Sequence, residues 1–278
     1  MTESTLDALK TINDRSDIAR HAKPARMHPK EHGAYAILGV PLVTSLLLAG
    51  LTPATVLVAT AAVFAFLAHE PLMIVTGRRG ATLRNATPRA LQVLWVRLAV
   101  AVLSGVVAFS LTNWSVRLGM IACLLLASSA YASSAKGLSR TLAAQLLGIG
   151  CLTLPGTIVL ASVGTDLTRV ASFWLVWVVG RVATTVGVRA SVVHNKETPV
   201  VANLRAYDLL LATTLLVAAY GMTMGNPIWI SAGLLLAAAL VLRMLTPSPK
   251  HLKSIGWSLL AVNIVAAILQ VYLWHPTR

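Results

Sequence analysis

From Ala34 to Trp274 the chain alternates long apolar runs with short polar gaps. The runs are about Ala34–Gly50, Ala54–Thr76, Leu94–Thr112, Val116–Ser134, Leu142–Val163, Ala171–Ser191, Asp208–Met224, Pro227–Leu245 and Ile255–Trp274. A hydrocarbon core of about 30 Å takes roughly 20 apolar residues of helix to cross. Most of these runs reach that length. The pattern predicts an all-α, polytopic membrane bundle of about nine transmembrane helices (residues 33–278) behind a polar tail (residues 1–32). The first run is short and holds Pro41. The break between the seventh and eighth rests only on Gly225, Asn226 and Pro227.

Composition points to the same solvent. The 278 residues are 56% hydrophobic and 12% charged, where a soluble domain is about a quarter charged. The formal charge of +14 would suit a nucleic-acid binder only if the basic residues gathered on a soluble domain. They fall instead in the gaps between apolar runs. With the N-terminus cytoplasmic, only Arg117, Arg169 and Arg278 of the 23 lysines and arginines lie on the outer side. That asymmetry predicts an N-in, C-out arrangement. Trp114, Trp229, Trp274 and Tyr272 stand near outer ends, as interfacial aromatics do. The first 33 residues lack the apolar core of a signal peptide and predict a cytoplasmic tail, with a short interfacial helix over Thr5–Arg20 or a mobile terminus. Cys123 and Cys151 lie inside apolar runs and read as packing residues.

The polar groups that survive inside the runs are the candidate chemistry. In FLAHEPLMIVTGRRG, His69, Glu70 and Pro71 stand about two turns before Arg78. An ionisable group in hydrocarbon is costly and normally faces the bundle interior or a wet cavity. One reading of Glu70 is a strut paired with a neighbouring arginine. The other is a proton, metal or substrate site, with a kink at Pro71 opening room beside it. In WLVWVVGRVATTVGVRASVVH, Arg181, Thr185 and Arg189 share a stripe about 80° wide. Arg181 is too deep to snorkel easily and Arg189 is not. Their counter-charge is either Glu70, perhaps with Asp208, or the phosphate or carboxylate of a substrate, which arginine holds through bidentate donors. The entry KEHGAYAILGVP adds Glu31 and His32. The loop GRRGATLRNATPRA carries Arg78, Arg79, Arg84 and Arg89, either as topology signals or as an anion-binding lid. Glu31, His32, His69, Glu70 and His194 form an oxygen and nitrogen set of the kind divalent ions take. No HExxH or CxxC spacing supports a metal there, so no metal ligand is assigned and any cofactor is unknown.

The segments PKEHGAYAILGVP and FLAHEPLMIVTGRRGA, with GVRASVV at the end of the sixth run, resemble the YwiC-like family of bacterial membrane proteins, in order from about Pro29 to about His194. That resemblance implies a multi-pass protein of the bacterial cytoplasmic (inner) membrane. More distantly the architecture resembles the UbiA-type intramembrane prenyltransferases, which have nine helices and an N-in arrangement. In that family two aspartate-rich motifs at the inner ends of the second and sixth helices hold an isoprenoid diphosphate through Mg²⁺. The corresponding places here carry His69-Glu70 with the Arg78–Arg89 loop, and Arg181 through His194, without the aspartates.

Three functions follow as expectations, all with the lipid bilayer as partner and none with nucleic acid. An enzyme acting on a lipophilic, isoprenoid- or quinone-like substrate would use Glu70, His69 and His32 for proton transfer. Arg181, Thr185, Arg189, Arg78 and Arg79 would hold its anionic group. A proton-coupled small-molecule carrier would use the same groups as a relay. A non-catalytic assembly or scaffold component would use them only to specify packing.

Overall fold

The computed structural model describes residues 27–28, 32–194 and 201–274. Among them the chain is helical, with no strand: α1 (His32–Ala49), α2 (Pro53–Val75), the five-residue α3 (Ala81–Asn85), α4 (Ala90–Leu111), α5 (Trp114–Ala135), α6 (Leu142–Ser162), α7 (Leu167–His194), α8 (Val201–Thr223), α9 (Trp229–Leu245) and α10 (Leu252–Trp274). Every expected apolar run is one of these helices. Seven, lying in α2, α4, α5, α6, α7, α8 and α10, are long and apolar enough to cross a bilayer; Gly33–Ala49 and Trp229–Leu245 are shorter. At 1.5 Å per residue, the 17 residues of α9 rise only about 25 Å. The weakly marked break is real. α8 ends at Thr223 and Gly225 turns the chain with φ 71°, a conformation that costs glycine little.

The described residues fall into two compact units. The first holds residues 27–28 and 60–105, which is most of α2, the α3 turn and the first two-thirds of α4. The second holds residues 32–59 and 106–274, without the undescribed 195–200.

In the second unit five helices close a ring. α1 packs on α6, α6 on α7, α7 on α9, α9 on α10, and α10 back on α1. One apolar cluster takes side chains from all five: Val40 of α1, Leu160 of α6, Phe173 and Trp177 of α7, Leu235 of α9, and Ala266 of α10. α8 lies outside the ring against α7 and α9, and α5 lies outside against α6. Small residues make the close approaches, as they do between helices in lipid, where dispersion rather than the hydrophobic effect holds helices together. A Cβ at Gly187 would stand 3.0 Å from the Ala239 carbonyl oxygen, and one at Gly156 would stand 2.9 Å from that of Pro41. Outward faces stay apolar. Leu103 is 67% and Leu124 68% exposed, as suits side chains whose solvent is lipid.

Two expectations change. Trp229 is not an exposed interfacial ring. It is buried against Gly221 of α8, because α9 starts with its first turn packed into the hairpin. Trp274 is also drawn inward, its ring edge-on to Phe173 with centroids 6.2 Å apart. Trp114 and Tyr272 remain exposed.

Candidate functional site

Two polar centres emerge, one in each unit. In the first unit α2 runs unbroken through Pro71. Proline has no N–H, so the carbonyl one turn back, Leu67, loses its helical donor. Arg97 of α4 supplies one instead. Its Nη1 donates to Leu67 O at 2.6 Å and to Met27 O at 2.7 Å. Arg97 drew no notice in the sequence because α4 was expected to start at Leu94. The helix begins at Ala90, which sets Arg97 two turns inside it. Arg97→Met therefore strips the Leu67 carbonyl of its donor and costs about 1–3 kcal/mol. In a Pro71→Ala background, where the backbone N–H returns, thermal unfolding will show a clearly smaller loss.

α2 ends in a Schellman turn. Gly77 sits at φ 72°, its N–H donates to Ile74 O, and the Arg78 N–H donates to Met73 O; this 6→1 and 5→2 pair is the motif's signature. The turn reverses the chain and brings Arg79 back along its own helix. Arg79 Nε meets Glu70 Oε1 at 3.0 Å, and Nη2 meets Oε2 at 2.7 Å. This is the bidentate fork that guanidinium and carboxylate make best. The carboxylate is only 3% exposed and its partner side chain 40%. The anion that Arg79 holds is thus Glu70 itself. Glu70 as a whole is 2% exposed. His69 is half-buried on the same helix, and Arg78, Arg84 and Arg89 are exposed. His32 begins α1, but its side chain lies outside the described residues, as do Glu31 and the whole tail before residue 27.

The second centre is Arg181, 6% exposed in the middle of α7. Its Nη2 donates to Ala36 O of α1 at 2.7 Å, reaching past the helices that flank α7 in the ring. Its guanidinium carbon lies 5.8 Å from the Trp177 ring centroid, within cation–π range. Arg181 Nε has no hydrogen-bond partner, and among the described residues no carboxylate pairs with it. The expected neutralisation by acidic residues fails for an identifiable reason. Glu70 is taken by Arg79, and Asp208 is taken by Arg243 of α9, at 2.6 and 2.9 Å. That second pair is partly exposed and links α8 to α9.

The rest of the α7 stripe behaves differently from Arg181. Thr185 is half-buried. Its neighbour Thr184 is buried, and its hydroxyl donates back to Gly180 O or Arg181 O at 3.1 Å. Arg189 Nε donates to Gln145 Oε1 of α6 at 2.7 Å. The sequence reading passed over Gln145 because a neutral amide near a helix start carries no charge signal. Among the described residues no group of three or more His, Cys, Asp or Glu side chains is placed to hold a metal.

No curated protein and no solved structure matches the chain. Residues 28–160, which hold the α2 centre and α1 through most of α6, match the model of the YwiC-like protein family.

Proposed function

We propose that this integral membrane protein takes a lipophilic small molecule from the bilayer and holds the molecule's anionic group at Arg181. The observation that carries this reading is a buried guanidinium in mid-helix with an unpartnered Nε and, among the described residues, no carboxylate paired with it. A cation placed so deep in an apolar bundle normally has an anionic partner, and where the described residues supply none, a ligand can. The isoprenoid- or quinone-like character of the molecule comes from the resemblance to UbiA-type enzymes. The N-in orientation and the inner membrane belong to the same proposal.

Glu70 and His69 are the groups with which such a protein would move a proton, with His32 as a further candidate. Glu70 serves as acid or base only after Arg79 lets go, and the exposure of Arg79 leaves it free to swing away. The closed Glu70–Arg79 fork also favours a second reading, in which that pair only fixes the end of α2 and the protein carries or presents its ligand without changing it.

The test compares membrane extracts by mass spectrometry. The samples are the native strain, a deletion, and the deletion complemented with Arg181→Gln or Glu70→Gln at matched expression. Under the enzymatic reading a lipid or quinone species disappears in the deletion, or its precursor accumulates, and neither variant restores it. If Glu70→Gln restores the profile and Arg181→Gln does not, the protein binds its ligand without proton chemistry at Glu70. Identical profiles in all strains under several growth conditions remove lipid and quinone substrates from consideration.

A further inference from the structure

Arg181 Nε is not the only buried polar atom in the second unit without a partner. Trp174 Nε1 and Trp177 Nε1 on α7, Thr157 Oγ1 on α6, and Asn263 Oδ1 and both amide atoms of Gln270 on α10 are also buried with no hydrogen bond. The set is not scattered. Trp174, Trp177 and Arg181 are spaced i, i+3, i+7, so they share an arc of about 60° on α7. Trp177 belongs to the cluster that all five ring helices share. Asn263 and Gln270 flank Ala266, the α10 member of that cluster, and Gln270 lies one turn from Trp274, which packs against it. Thr157 is one turn from Leu160, its α6 member. Gln270 is 0%, Asn263 1% and Trp177 1% exposed. Buried polar atoms are nearly always paired. Buried polar side chains from three helices around one interior, each with an atom left unpaired, are what a polar ligand can satisfy.

We propose that the interior of the five-helix ring is a binding site for a lipophilic carboxylate. The Arg181 guanidinium, the tryptophan N–H groups and the Gln270 amide N–H receive the carboxylate oxygens, and the Asn263 amide oxygen meets a donor elsewhere on a larger ligand. The class follows from charge. The set holds one cation, since the next arginine on the stripe, Arg189, lies two turns on and is engaged by Gln145. A single guanidinium balances one negative charge, whereas a phosphate or diphosphate would bring uncompensated charge into an apolar interior. Indole N–H groups donate and cannot accept, so the α7 arc selects an acceptor. This inference rests on the anion-holding role of Arg181 and adds the ligand's class and the residues that complete its site.

The experiment follows thermal unfolding of the full chain in nanodiscs during titration with octanoate, octyl phosphate and 1-octanol. Octanoate is expected to raise the midpoint saturably, with the other two at least about 10-fold weaker. Arg181→Gln is expected to abolish the response. Trp177→Phe, which keeps the ring and removes the donor, and Gln270→Leu are each expected to weaken octanoate about 10-fold, the weight of one hydrogen bond. Gln270→Leu also raises the midpoint without ligand, since it removes an unpaired amide, so its loss of binding is not a loss of folding. If Arg181→Gln abolishes binding while Trp177→Phe and Gln270→Leu bind as the native chain does, the ring-interior site is wrong and the role of Arg181 survives. Octyl phosphate binding as tightly as octanoate overturns the carboxylate class alone. Octanol binding equally well, or no saturable response to any probe, overturns both.

Discussion

Arg79→Gln will destabilise the full chain by about 3 kcal/mol, the low end for breaking a buried ion pair. The reason is asymmetry of burial. Glu70 is sealed, with its side chain 3% exposed, while Arg79 is 40% exposed. Removing the arginine strands a carboxylate where water cannot reach it. The low end applies because Arg79 is itself partly exposed, so the pair is only half shielded from solvent. Glu70→Gln costs less, since the freed Arg79 is already half in solvent and can hydrate. The double variant recovers most of the loss, because a neutral pair leaves no stranded charge. Denaturation of the four proteins in one detergent measures the cycle. Equal losses for the two single variants would mean that the fork is a surface pair of little weight, as exposed pairs usually are.

Gly221→Ala will be nearly as damaging. A Cβ there would stand 2.2 Å from two ring carbons of Trp229, and that indole is only 5% exposed, within the cluster joining α7, α8 and α9. The ring cannot turn aside without disturbing that cluster. The expected loss is about 3 kcal/mol, the upper end for overpacking. Trp229→Leu alone will also destabilise, by about 3 kcal/mol or more, through the cavity it opens. Combined, the two will cost less than their sum, since the alanine methyl then enters space that the indole has left. Strict additivity in thermal unfolding would show that α8 and α9 do not meet through this pair.

The apolar rhythm made the helices legible because a lipid solvent leaves little latitude. A segment in hydrocarbon must satisfy its backbone internally, so length and hydropathy alone mark it out. For the same reason Glu70 and Arg181 stood out as residues that needed a partner. Which partner each would find was beyond the reach of spacing. The Glu70–Arg79 fork depends on the reversal at Gly77, nine residues from the carboxylate. The Arg97 contact depends on a carbonyl that Pro71 releases on another helix. A sequence can show that a donor is missing at Pro71 without showing what replaces it.

The class of molecule, the place of nearly every helix and two of the charges that matter can be read from the order of residues alone. Those properties are local, set by the solvent along each segment and by the cost of an ion within it. It took the folded arrangement to show that the two acidic residues within the apolar runs are already spent on Arg79 and Arg243, and that Arg181 is neutralised by neither. That arrangement alone brought Thr157, Trp177, Asn263 and Gln270 toward one interior. These are neutral residues on three helices, each unremarkable in an apolar run. They acquire meaning only when the ring closes and leaves a buried atom of each unpaired.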